Sequence, residues 1–250
     1  MASMLPATQS AWPALPAPRN VPLTTLAEQD CPYLPGRRSM NRAFLAERMS
    51  PGFYHQLMDA GFRRSGTFIY QPICRGCREC QPIRVPVDSF TPSKSQRRTW
   101  RRNNDLIVDI SAPEPSAEKF DLYHRYIRDR HDRQGEQDPQ SFVEFLYQSP
   151  VQSVEFTYRD PAGRLVGVGI CDVSDQSLST VYFYFDPADS RRGLGTFSSM
   201  REIAFARERE IPFYYLGYWV RGCESMRYKS TLRPSEVLHP DGVWRANLEG

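Results

Sequence analysis

Hydrophobic positions recur along this chain with two periods, and the switch between them sorts its segments. Phe53, Leu57 and Met58 fall at helical spacing between Ser50-Pro51, a cap and first-turn pair, and Gly61, a stop, which predicts a short helix. Phe62 to Tyr70 alternates loosely and predicts a strand that runs into a loop bounded by Cys74 and Cys80. Ile83-Arg-Val-Pro-Val87 predicts a second strand, expected to pair with the first so that the cysteines lie in the connection. Leu106 to Ile110 predicts another. Phe120, Tyr123, Tyr126 and Ile127 share one face of a helix expected from Ala117 to about Arg130, and a further helix is expected from Gln140 to Tyr147.

The last hundred residues change character. Val154–Tyr158, Leu165–Val173 and Leu178–Phe185 read as strands separated by turn signals. The loop Asp189-Ser-Arg-Arg-Gly-Leu-Gly195 opens a helix carrying Phe197, Met200, Ile203 and Ala204, Pro212 stops it, and Phe213–Val220 is another apolar strand. An antiparallel meander, a helix entered through a Gly-containing turn, and a strand parallel to the one before that helix make an N-acetyltransferase-like (GNAT-like) layout. The expected class is α+β. It comprises an irregular tail (1–24) with five prolines and one charge, a small cysteine-bearing α/β domain (25–112) and a GNAT-like domain (113–250), divided at the proline-bearing stretch 112–116.

Composition then removes several classes. A chain of 250 residues with 40% hydrophobic positions and 31 aromatic residues holds a real core and is not wholly disordered. No apolar run approaches the roughly 20 residues that span a bilayer, and the first twenty residues lack a basic and apolar leader, so a cytoplasmic protein with reduced cysteines is expected. The net charge of +3 conceals a gradient: Gln71 to Arg102 holds eight basic and two acidic residues, a local +6, and the remainder carries −3. Arginines flanking Trp100 in SQRRTWRRNN are what a phosphate-facing surface requires, although a solvated helix face has the same composition.

The chemistry-bearing clusters are few. Cys74-x2-Cys77-x2-Cys80 with Cys31 upstream can supply four thiolates to zinc or an iron–sulfur cluster, or can be four unligated thiols; no second CxxC completes a zinc ribbon. His124 and His131, seven apart among arginines, read as a solvated helix face. No Gly-x-Ser-x-Gly, HExxH or Walker motif is present. Arg191-Arg-Gly-Leu-Gly-Thr196 at a helix start is a candidate anion site, because unpaired N–H groups face outward and glycines permit close approach. Ser190 stands where acetyltransferases carry Arg or Gln, which disfavours acetyl-CoA. Tyr182, Tyr184, Tyr214, Tyr215, Tyr218 and Trp219 cluster at the ends of two strands expected to splay, with Asp186 as the carboxylate there.

In order along the chain, CPYLPGR, GFRRSGTFIYQPICRGCRECQPIRV, SQRR, FYFDP, RRGLGTF and LGYWVRGCESMRYKSTLRP resemble the bacterial aminoacyl-tRNA–protein transferases, the leucyltransferase branch related to arginyl-tRNA–protein transferases. The resemblance implies transfer of an amino acid, leucine or else arginine, from aminoacyl-tRNA to proteins with N-terminal Asp or Glu, marking them for N-degron degradation. No cofactor is implied for transfer, and the eukaryotic relatives arrange their cysteines differently. On that reading Asp186, with Tyr182 and Tyr184, handles the acceptor's proton. Arg84 first, then Lys229, with Tyr70, binds the acceptor. Arg97, Arg98, Arg101, Arg102, Arg192, Gly193, Gly195 and Thr196 meet tRNA phosphates. The rival readings are an acetyl-CoA-dependent acetyltransferase and a non-enzymatic RNA-binding protein. The oligomeric state is not fixed by these features.

Overall fold

A computed structural model describes residues 21–130 and 138–248; the expected tail (up to residue 20) and His131 lie outside them. The N-terminal part builds a four-stranded sheet in the order β1 (Thr24–Thr25), β4 (Asn41–Leu45), β6 (Phe68–Pro72), β5 (Arg63–Ser65), beside the small pair β2 (Gln29–Asp30) and β3 (Arg38–Ser39). Helix α1 (Pro51–Asp59) starts where Ser50 Oγ accepts from Phe53 N, and it buries Tyr54, Leu57 and Met58. The single strand expected over Phe62–Tyr70 is instead the hairpin β5–β6, turned at Gly66 (φ 59°). A Cβ at Gly66 would stand 2.6 Å from Glu144 O, so only glycine fits between the hairpin and the helix behind it.

The remaining elements centre on an eight-stranded sheet. Its strands are β7 (Cys80–Pro86), β8 (Ile107–Ser111), β9 (Ser153–Arg159), β10 (Leu165–Val173), β11 (Ser177–Phe185), β12 (Phe213–Val220), β13 (Glu236–Leu238) and β14 (Trp244–Ala246). The order is β14-β13-β7-β12-β11-β10-β9-β8, antiparallel throughout except for β11 and β12. This corrects the expected pairing of β7: its partners are β12 and β13, not the strand before the cysteine loop. Ile83 and Val85 are fully buried in the main core, and that burial draws β7 into the large sheet. Both β7 and β8 precede residue 112, so the sheet crosses the expected domain boundary.

Helices cover both faces. On one side α5 (Leu194–Glu208) and α2 (Lys94–Arg102) pack Phe197, Met200, Ile203 and Trp100 against Val154, Phe156 and Tyr158. On the other, α3 (Ala117–Arg130) and α4 (Pro139–Leu146) pack Leu122, Ile127, Phe142 and Leu146 on Val168, Ile170 and Tyr184. The small sheet and α1 form a third cluster, in which Tyr54, Met58 and Ile69 meet Tyr215 of β12. Arg64 of β5 rivets that cluster to the large sheet, donating to Asp172 of β10 through Nε at 2.7 Å and Nη2 at 2.8 Å.

Candidate functional site

Strands β11 and β12 are joined only where Ser177, Leu178 and Ser179 face Phe213, Tyr214 and Tyr215. Beyond Tyr215 the register of β12 against β7 shifts, Gly217 turns into the left-handed region (φ 83°), and the two strands part. The gap between them is filled from the small sheet by Arg63 of β5. Its Nη1 donates to Ser179 Oγ at 2.8 Å and its Nη2 to the Thr180 carbonyl. A Cβ at Gly217 would lie 3.3 Å from Arg63 Nε and Nη2, so the glycine makes room for the guanidinium as well as taking the turn. Arg63 is 8% exposed, and no carboxylate pairs with it among the described residues. A buried guanidinium with two of its five donors on neutral oxygens and one on the Met58 thioether is unusual, because burial of a charge is normally offset by an opposite one.

Three groups surround this cation. Tyr70 and Tyr218, 6.2 Å apart between ring centres, both feel its charge, and burial holds both phenols protonated far above neutral pH. Lys229 donates to the Tyr218 carbonyl at 2.7 Å. Burial, then the Arg63 charge, push the Lys229 ammonium down to about 7. Outward of Tyr70 and Tyr218 opens a mainly apolar cavity of about 430 Å³, walled by Leu26, Tyr33, Leu34, Ala43 and Phe68.

Cys31, Cys74, Cys77 and Cys80 all reach that cavity, so the expected gathering of these four is present. All are free and half-buried. Cys74 Sγ accepts from Met40 N and Cys77 Sγ from Arg37 Nη1, each at 3.4 Å, and burial with the other thiols nearby pushes Cys80 up to about 12. Among the described residues, no group of three or more His, Cys, Asp or Glu side chains is placed to hold a metal ion.

The other expected site residues fall in separate places. Arg84 donates through Nη1 to Asp59 at 2.7 Å and through Nε to Glu236 at 2.8 Å, and its guanidinium lies 3.8 Å over the Phe213 ring and 4.2 Å from that of Trp244. It clamps α1 to β7 and β13, with two carboxylates already on it. Asp186 caps the 3-10 turn Pro187–Arg192, accepting from Ala188 N at 3.1 Å and from Arg125 and Arg164 at 3.2 Å each. Tyr182 packs against Phe145 and Tyr126. Tyr184 hydroxyl meets Tyr147 hydroxyl at 3.3 Å. Both tyrosines belong to the α3–α4 layer.

The basic segment does form one face. Ser93 and Gln96 make a reciprocal capping box at the start of α2, and Trp100 packs edge-on against Phe197 of α5 at 5.5 Å. That packing leaves Lys94, Arg97, Arg98, Arg101 and Arg102 exposed. Their guanidinium contacts go to main-chain oxygens (Arg97 to Pro92, Arg101 to Arg97, Arg102 to Arg191), so no carboxylate neutralises them among the described residues. Thr99 touches the Cα side of Gly193, and Asn103 Nδ2 donates to the Arg192 carbonyl at 3.0 Å, which sets α2 beside the start of α5. Gly193 (φ 69°) gives α5 no side-chain cap, and the space over Gly195 is open. The N–H groups of the first turn, Gly195 and Thr196 included, thus lie at the end of α5 that α2 adjoins, where Arg102 reaches the Arg191 carbonyl. Arg192 differs from the rest: it makes a two-pronged bond to Asp105 at 2.9 Å.

Sequence reasoning missed Arg63 and Gly217. The signal was present in Arg63-Arg64 inside an alternating strand: neighbouring residues point to opposite faces, so two adjacent arginines in a strand covered on both sides are both buried.

Residues 29–98 match the family profile described as "Arginine-tRNA-protein transferase, N terminus", and residues 118–239 match "Arginine-tRNA-protein transferase, C terminus". The aspartate/glutamate leucyltransferase of Hahella chejuensis is 36% identical over 219 residues, 86% of this chain and 92% of that one. The protein of the same name from Stenotrophomonas maltophilia is 42% identical over 198 residues, 76% of this chain and 79% of that one. Among solved structures, the C-terminal domain of a putative lysylphosphatidylglycerol synthetase from Agrobacterium fabrum superposes with a TM-score of 0.50 at 13% identity, over 82% of this chain and 65% of that one. FemX gives 0.50 at 9% identity, over 74% and 65%. At such identities the structural likeness speaks for the fold alone.

Proposed function

The chain belongs to the arginine-tRNA-protein transferase family, and from that we propose that it moves leucine from Leu-tRNA to the α-amino group of proteins beginning with Asp or Glu. The observation that carries this is the match to aspartate/glutamate leucyltransferases along most of their length. Two structural features support it. The unneutralised arginines of α2 beside the uncapped start of α5 suit the phosphates of a tRNA acceptor end. The cavity beside the β11–β12 opening is large enough for an aliphatic side chain and mainly apolar.

The chemistry needs no nucleotide site, because the aminoacyl ester arrives activated. The acceptor's ammonium, with an ordinary pKa of about 8, loses a proton to water. Its nitrogen adds to the ester carbonyl, the C–N bond forms, and the C–O bond to the terminal ribose breaks as that oxygen takes up a proton. Tyr70, held protonated, is a hydrogen-bond donor at the opening and suits a developing oxyanion or an acceptor oxygen, whereas the Tyr218 hydroxyl already donates to the Gly61 carbonyl at 2.8 Å. Asp186, already engaged by two arginines and a cap, is given no proton to carry. The product bears an N-terminal leucine, which we infer marks it for N-degron degradation in the cytoplasm. Among the described residues, no helix is long and apolar enough to cross a membrane.

Arginine is the second donor to consider, because Glu79 lines the cavity and has no ion-pair partner among the described residues. Incubation with labelled Leu-tRNA or Arg-tRNA and an Asp-initiated peptide decides the matter. Leucine transfer is expected; arginine transfer alone reassigns the donor, and transfer of neither overturns the proposal.

A further inference from the structure

We propose that Arg63 is the residue that reads the acidic side chain of the acceptor, its guanidinium taking the carboxylate of the N-terminal Asp or Glu at the mouth of the β11–β12 opening. This deepens the transferase reading and rests on it.

The argument starts from an imbalance. Arg63 and Arg64 are consecutive, both buried, and only Arg64 has a carboxylate. Arg63 is held by Ser179 Oγ and the Thr180 carbonyl on one strand and is seated against Gly217 on the other. These contacts fix the orientation of the guanidinium plane and leave donors over. The second basic group nearby, Lys229, is fixed to the Tyr218 carbonyl at 2.7 Å, and the Arg63 charge helps to push its ammonium down. A folded protein that keeps a buried, oriented, unneutralised guanidinium where two strands part is arranged for an anion brought by something else.

The position selects the anion. Tyr70, the register partner of Arg63 across β5–β6, and Tyr218, next to Gly217, both line the cavity, while the phosphate-facing arginines lie on α2 beside the start of α5, on the other face of the large sheet from the small sheet that supplies Arg63. A tRNA phosphate is therefore served elsewhere, and a transient oxyanion needs hydrogen-bond donors more than a permanent charge. A carboxylate separated from the attacking amine by two or three carbons fits a forked donor at the reaction opening. Arg84, the first choice for this role from the sequence, already holds Asp59 and Glu236.

The test uses the full-length chain, Leu-tRNA, and peptides that start with Asp, Glu, Asn or Gln. Arg63→Gln is expected to lower kcat/KM for the Asp peptide by about 30-fold or more. The Asp-over-Asn preference should collapse, with tRNA affinity unchanged. An equal loss with Asp and Asn peptides overturns the assignment while leaving the transferase reading intact; wild-type protein inactive with every peptide overturns both. Should Arg63→Gln fold poorly, Arg63→Lys is read instead. It keeps the charge without the fork, so KM for the Asp peptide should rise about tenfold with kcat nearly held, and an unchanged KM overturns the assignment.

Discussion

Arg64 grips Asp172 with two parallel hydrogen bonds, at 2.7 and 2.8 Å, in a place where their side chains are 1% and 0% exposed. Tyr54 hydroxyl at 2.6 Å and Ser153 hydroxyl at 2.7 Å complete the carboxylate's partners, so every lone pair of a deeply buried acid is used. Removing one side strands the other charge. Arg64→Met is expected to cost about 3–5 kcal/mol, read as a shifted midpoint in urea denaturation. The double variant Arg64→Met, Asp172→Leu should recover much of that loss.

Lys229 makes stability depend on pH. Its pKa is about 7 in the folded chain against 10.5 ordinarily, so between those values the unfolded chain binds the extra proton. Stability contributed by this group therefore rises as pH climbs from about 7 towards 10.5, and below 7 the cost of the buried charge is fully present. Lys229→Met should flatten that rise. Its stabilising effect over wild type should be largest at pH 6 and small by pH 10, as measured by denaturation at both.

Arg84→Ala is expected to act on the fold. It leaves Asp59 and Glu236 without their cation and uncovers Phe213 and Trp244, at a cost of about 2 kcal/mol after allowance for the partly exposed acids. Thermal unfolding should shift while the Asp-over-Asn preference of the folded fraction stays the same. A lost preference would return Arg84 to the acceptor site.

On α2, Arg98→Ala and Arg101→Ala should each weaken tRNA binding and reduce the steepness of its salt dependence by about 1. Arg192→Ala should change that slope less, because its charge is already paired with Asp105.

How far the sequence foretold this molecule depends on the range of the interaction concerned. The bounds of β10, β12 and α3 coincide with those read from alternation and helical spacing, since period and punctuation are local. The partners of β7 were not legible: Ile83 and Val85 mark a buried strand but carry nothing that names β12 as its neighbour. The basic face on α2 was legible from charge, and the convergence of four cysteines from spacing. Arg84 and Arg63 look alike in a sequence. Only the location of Asp59 and Glu236 tells the committed guanidinium from the open one, and those acids come from an adjoining helix and a strand 152 residues away.

The lodging of β7 between β12 and β13 bears on how the protein can be divided or inherited. A polypeptide starting after residue 112 would lack both β7 and β8, leaving β12 with a bare backbone edge and empty slots where Ile83 and Val85 sit. The part of the large sheet that follows residue 112 is therefore not a self-contained cassette. The segment that carries Arg63 and the cysteines is sewn through it by β7, so the two parts of the chain are kept or lost together.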